Sequence, residues 1–133
     1  MKRREIKFRA WDTINKKMIY GPTADNPSSS WILALPDDRF VKMQYTGLND
    51  SYGHGKEIYE GDIVTGKYLN LNVEWGFKSI VCFDTIEDTD GYANGVILGW
   101  VTTNGSSLQD LVNGGGKIVG NKYENPDLLE EKQ

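Results

Sequence analysis

The chain has one cysteine, Cys82, and one histidine, His54, among its 133 residues. A single cysteine excludes a disulfide within the chain and a cysteine-based zinc site built from one copy, and it suits a reducing cytoplasm. With one histidine, any Ser-His-Asp or Cys-His arrangement has to use His54. That residue lies between Gly53 and Gly55, a poor place to hold a base still. No stretch approaches the roughly 20 apolar residues that span a bilayer, and the basic start MKRREIKF lacks the apolar segment of a signal peptide. The expectation is a protein with no membrane association that stays in the cell that makes it. Prolines are few, 4 against 15 glycines, so turns are many and low complexity is absent. The length suits a single domain over residues 1–133.

Net charge is also modest, −4, but unevenly placed. Residues 1–60 carry 10 basic and 8 acidic groups, a balance of +2, and residues 61–133 carry 5 and 11, a balance of −6. Seven Lys or Arg fall in the first 20 residues, a small basic island.

Apolar and polar residues alternate from Ile6 to Trp11, which predicts a strand with one buried face. A polar turn over Asp12 to Lys17 precedes Met18-Ile19-Tyr20, so residues 6–20 read as a β-hairpin. Gly21 to Ser30 is a loop. Trp31 to Leu35, stopped by Pro36, and Phe40 to Tyr45 suggest another hairpin. The stretch Met43 to Val64 has the clearest turn signals, with Gly47, Asn49, Asp50, Ser51, Gly53 and Gly55 clustered between apolar segments. It predicts a hairpin or long loop, then a compact Glu60-Gly61-Asp62 turn into a buried strand at Ile63-Val64.

Gly66 is a candidate turn from which Asn72 to Trp75 can pair back. Ile80 to Phe83 is the most continuous apolar run, and Thr85 to Asn94 reads as acidic turn. Val96 to Val101 is apolar, and Gly99 within it suggests a bulge or a close backbone approach. Ser106 or Ser107 can cap a short helix near residues 107–113, ended by Asn113-Gly114. Ile118-Val119 reads as the last strand. Asn125-Pro126-Asp127 then starts a short C-terminal helix, Asn125 accepting from its free amides. Many short strands favour a barrel or a sandwich.

MQYTGL (Met43 to Leu48), the Asp50-x-x-Gly53 turn and KEIYEGDIV (Lys56 to Val64) together resemble the YopX family of phage and prophage proteins. KFRAWD and NKKMIY (Lys7 to Asp12, Asn15 to Tyr20) are similar to that family's opening, and IVGNKYENPDLL (Ile118 to Leu129) to its close. The motif residues are Gln44, Tyr45, Gly47, Asp50, Gly53, Tyr59, Gly61 and Asp62. His54-Gly55 is a departure, since the family's turn runs from Asp-x-x-Gly directly into Lys-Glu. The resemblance implies a mainly β fold built on a small SH3-type barrel, here elaborated with extra hairpins. It also implies a bacterial or phage origin, and no catalytic residues to carry over.

Several chemistries are suggested and weakened by the residues themselves. Asp50, Glu57, Glu60 and Asp62 are enough carboxylates for acid/base work or a divalent cation, but a turn-rich setting favours bonds to nearby amides. Asp62 is the strongest functional candidate of the four. Asp84, Glu87, Asp88 and Asp90-Gly91 suggest a calcium loop, yet its first and twelfth positions are Ile86 and Ile97, which supply no carboxylate. Gly114-Gly115-Gly116-Lys117 is followed by Ile118 rather than the Ser or Thr of a phosphate-binding loop. Cys82 lies in an apolar run and reads as a small core residue.

The basic island offers Arg3, Arg4, Lys7, Arg9 and Trp11 for phosphate attraction and base stacking, against an acidic whole. The leading expectation is a non-enzymatic, homo-oligomeric interaction or assembly module in the bacterial cytoplasm, with no cofactor and an unidentified phage or host partner. The alternative is a nucleic-acid-binding accessory protein using the N-terminal hairpin.

Overall fold

A computed structural model describes residues 6–21, 28–50, 55–68, 73–74, 78–87 and 96–129. Among the described residues there are ten strands: β1 (Phe8–Asp12), β2 (Lys17–Tyr20), β3 (Phe40–Asn49), β4 (Glu57–Tyr59), β5 (Asp62–Thr65), β6 (Lys67–Tyr68), β7 (Val73–Glu74), β8 (Ser79–Glu87), β9 (Val96–Thr102) and β10 (Lys117–Asn121), with one α-helix, α1 (Leu108–Asn113). The strands form two four-stranded antiparallel sheets, β2-β1-β3-β4 and β10-β5-β8-β9, and a small β6-β7 pair. This is the mainly β, barrel-like fold expected.

The expected N-terminal hairpin pairs Arg9 with Tyr20 and Asp12 with Lys17. Its burial differs from the alternating pattern: β1 is central in its sheet, between β2 and β3, and consecutive residues on both of its faces are buried. Arg9 and Trp11 are buried with Ala10, whereas Ile6 is exposed. The charged residues on β1 are tolerated because each is paired. Asp12 Oδ1 accepts from the Ile14 and Asn15 amides at 3.0 and 3.1 Å, closing the turn, and the carboxylate takes two bonds from Arg39 at 3.0 and 2.9 Å.

Trp31 to Leu35 is not a strand. Ser30–Ala34 forms a 3-10 helix whose Ile32 is buried while Leu33 is half exposed. A five-residue apolar run ended by proline fixes no period, and here one residue per turn points inward. The Trp31 indole donates to the Gly21 carbonyl at 2.7 Å.

Strand β3 continues through Gly47, where a turn was expected, to Asn49. A shift in register between Tyr45 and Asn49 marks a bulge, and Gly47 has φ of +86°. Likewise β8 runs through Thr85 to Glu87, where an acidic turn was expected, and Ile86 pairs with Ile97 of β9; Asp88, Asp90 and Gly91 lie outside the described residues. Gly99 lies in this regular register with nothing close above it, neither bulge nor close approach.

Ser107 caps α1, its hydroxyl accepting from the Asp110 amide at 3.3 Å. The Gly114 to Lys117 run is the turn joining α1 to β10. A β-carbon on Gly116 would fall 2.1 Å from Leu111 Cδ2, so only glycine lets the strand pass the helix. The C-terminal helix is a 3-10 turn, Pro126–Leu129. Asn125 does not cap it, since its side chain accepts from the Asn121 amide instead, at 3.2 Å. The core joins Ile58, Val64 and Val81 to Leu108 and Leu111 of α1, with Trp100 and Ile118 packed against it. Each such side chain contributes about 1.5 to 3 kcal/mol.

Two predictions follow from the turns. Gly61, between β4 and β5, has φ of +88°, and an added β-carbon would lie 3.1 Å from Met43 Sδ. Gly61→Val should therefore cost about 1 to 3 kcal/mol in backbone strain alone, read by urea unfolding; an unchanged midpoint would contradict this conformation. Arg39 holds Asp12 well below the usual carboxylate range against the opposing pull of burial, with the Asn15 and Ile14 amides adding to the lowering. Stability from such a group is complete above its ordinary value, about 3.9, and is lost as pH falls. Asp12→Asn keeps an oxygen for the amides but not the charge, so it should lower Tm at pH 7 and flatten the acid fall of Tm. An acid fall as steep as the parent's would count against the pair.

Candidate functional site

The turn from Tyr59 to Asp62 is the corner where the chain passes from one sheet to the other. The Glu60 amide donates to the Gln44 carbonyl of β3 at 2.9 Å, and the Gly61 amide to the Val81 carbonyl of β8 at 2.9 Å. Adjacent amides thus bind one strand of each sheet. Asp62 closes the turn from within, its Oδ2 accepting from the Tyr59 amide at 2.8 Å.

The other oxygen of Asp62 meets Arg9. The guanidinium donates to Oδ1 at 2.8 Å and to the Glu60 carbonyl at 3.2 Å, and both side chains are buried, 3% and 5% exposed. It also lies over the Tyr59 ring, 4.7 Å from the centroid. Burial pushes the Asp62 carboxyl up, while the Arg9 charge and the Tyr59 amide oppose it. Burial, then the Glu57 charge, pushes the Tyr59 hydroxyl up to about 12, so it stays protonated at neutral pH. The Arg9 Nε–H is buried with no hydrogen-bond partner among the described residues.

Around this pair an open cleft of about 310 Å³ is bordered by Tyr20, Lys56, Glu57, Ile118 and Asn121. Tyr20 is half exposed and meets Tyr59 edge to face, centroids 5.8 Å apart. Tyr59 also packs on Tyr45, whose hydroxyl donates to Asn49 Oδ1. Lys7 makes an ion pair with Glu57 and lies over the Tyr45 ring.

Asp50 directly follows β3 and is 2% exposed. Its Oδ1 accepts from the Lys56 amide at 3.1 Å, and its Oδ2 from the Ile118 amide of β10 at 2.9 Å. Gly53 and His54 lie outside the described residues, as do Arg3 and Arg4. Of the remaining residues offered for nucleic acid, Arg9 is sealed against Asp62. Trp11 is 8% exposed and stacks on Tyr123, centroids 5.8 Å apart.

The structure therefore brings together two groups the sequence kept apart, the N-terminal bases and the central acids. Lys7 meets Glu57 and Arg9 meets Asp62. Among the described residues no group of three or more His, Cys, Asp or Glu is placed to hold a metal ion. Burial, with Asp84 and Glu60, pushes the Cys82 thiol up, away from a reactive thiolate. Asn121 escaped sequence reading. It is buried, accepts from the Tyr123 and Glu124 amides and folds the chain after β10. The Asn-x-x-x-Asn-Pro spacing was its only signal.

Removing Asp62 would strand a buried guanidinium. Asp62→Ala should cost about 3 to 5 kcal/mol, more than the about 1 kcal/mol typical of a lost cap. Replacing both partners, Arg9→Met with Asp62→Leu, should recover a good part of that loss. Urea unfolding of the single and double variants decides it, and an Asp62→Ala protein as stable as the parent would overturn the clasp.

A family model described as YopX protein matches residues 7–130. No curated protein matches the chain. Among solved structures, the crystal structure of protein EF1440 from Enterococcus faecalis is similar, with 24% identity, a TM-score of 0.53, and coverage of 96% of this chain and 100% of that one. At that identity the likeness speaks to the fold, and the fold agrees with the family match: the chain belongs to the YopX protein family.

Proposed function

We propose that this YopX-family chain is a non-enzymatic interaction or assembly module, encoded by a phage or prophage, that self-associates in the cytoplasm of its bacterial host. One observation carries the reading. The two buried carboxylates of the family's central motif, Asp50 and Asp62, hold backbone amides and a buried arginine. A general base needs a lone pair facing a reactant, and both oxygens of each carboxylate already face the protein. The open cleft is lined by two charges of each sign, Arg9 and Lys56 with Glu57 and Asp62; Arg9 pairs with Asp62, and Glu57 pairs with Lys7 outside the lining. No charge of one sign dominates it.

The same pairing bears on nucleic acid. Phosphate binding releases counterions in proportion to the cations available, and Arg9 is withdrawn from that number. Light scattering behind a sizing column, at micromolar protein and physiological salt, tests the self-association. The expected mass is a multiple of the 15.0 kDa chain, and a monomer would sink the idea. In a parallel titration, labelled duplex and single strands should bind weakly at low salt and lose that binding at physiological salt. Nanomolar affinity that survives physiological salt and disappears on replacing Arg3, Arg4 and Lys7 by Ser would replace this reading with a nucleic-acid one.

A further inference from the structure

The β8–β9 hairpin is longer than the sheet that supports it. β5 pairs with β8 only at Ser79 and Ile80, whereas β9 follows β8 from Val81 to Glu87 without a break. Past Val81 the hairpin continues as a two-stranded ribbon, with no third strand beside it among the described residues. Such a ribbon is marginal in water unless something covers an apolar face.

One face of the ribbon runs from the core into solvent. Val81 and its partner Thr102 are buried, at 1% and 2%. The next pair on that face is Phe83 and Trp100, whose rings meet edge to face 5.1 Å apart, and beyond it lies Leu98. Phe83 is 53% exposed and Leu98 64%. The apolar stripe that begins in the core thus ends uncovered.

The edges of the two sheets are not alike. β2 carries Lys17, β4 has three residues and carries Glu57, and β10 carries Lys117 and breaks register between Ile118 and Gly120. Charge, shortness and a bulge all discourage strand addition. β9, VILGWVT, has no charge, no proline and no bulge. Its far end is occupied, since the Thr102 amide donates to the Ser106 carbonyl and Val101 bridges to Ser107. Val96 to Trp100 is the stretch left open among the described residues.

We propose that this open stretch of β9 docks on the same stretch of a second copy, antiparallel about a two-fold axis, with Phe83, Leu98 and Trp100 of both copies forming one apolar patch. The occupant is another copy because a two-fold contact sets each residue near its own kind. A charged edge would then repel itself, and β9 is the edge whose sequence carries no charge. The inference rests on the self-association proposed above and assigns it a surface.

The test uses Leu98→Lys and Leu98→Glu, each purified alone and then mixed in equal amounts, with masses read by light scattering at micromolar concentration. The parent should be a dimer or a multiple of one, each variant a monomer, and the mixture should regain the parent mass as Lys faces Glu. Leu98 is exposed, so both variants should keep the parent's circular dichroism. Should either misfold, hydrogen exchange on the parent decides instead, the Leu98 and Trp100 amides gaining at least tenfold protection between dilute and concentrated protein. If the parent associates and both variants associate equally well, this surface is wrong while the self-association stands. A monomeric parent overturns both. Variants that remain monomeric when mixed overturn the two-fold pairing.

Discussion

A buried arginine and a buried aspartate at the corner between two sheets are what the rest of the fold must accommodate. Taking such ions from water costs several kcal/mol each, and their attraction offsets this only when the remaining donors and acceptors find partners. Asp62 meets that condition in full, with Arg9 on one oxygen and the Tyr59 amide on the other. Arg9 meets it in part, through Asp62, the Glu60 carbonyl and the Tyr59 ring, with its Nε left without a partner among the described residues. The pair therefore adds less to stability than to register. A slip of one residue in β1 or β5 would turn one partner to the opposite face and bury the other alone.

The same device recurs wherever the chain must tie distant segments together. Arg9 and Asp62 are 53 residues apart, Asp50 and Ile118 are 68 apart, and Arg39 reaches back 27 residues to Asp12. Among the described residues the continuous apolar core is small, with five buried members. Polar side chains that bind backbone amides add order where apolar area is short. Asp50 shows this most plainly, since one carboxylate holds both the Lys56 amide before β4 and the Ile118 amide of the last strand.

Local pattern was enough to find the N-terminal hairpin, the Ile63-Val64 strand, the helix capped by Ser107 and the strand at Ile118, because each is announced by periodicity or by a cap within a few residues. It failed where the deciding contact is distant. Arg9 and Asp12 read as solvent-facing until Asp62 and Arg39 are brought to them. Trp31 to Leu35 is too short to reveal its period, and Gly47 marks a bulge that in sequence looks like a turn. Asp84 and Glu87 looked like part of an acidic loop because charge is rare in strands, yet both lie on β8 and pair with β9. Asp62 was legible as the residue to watch. Its partner was not, since nothing in either segment names the other.

One arrangement weighs against both functional readings suggested by charge. Bases near the N-terminus invited phosphate, and acids in the central motif invited a cation, yet the fold sets Lys7 and Arg9 against Glu57 and Asp62. A charge neutralised by a partner attracts little at a distance, and one that is also buried cannot be approached without breaking the pair. Recognition by charge is thereby reduced at both ends at once. Apolar and aromatic side chains are also turned outward, Tyr20 at the cleft and Phe83 and Leu98 on the ribbon. Contacts of that kind gain from area and fit rather than from long-range attraction. Such contacts suit lasting association between protein surfaces better than capture of a charged ligand.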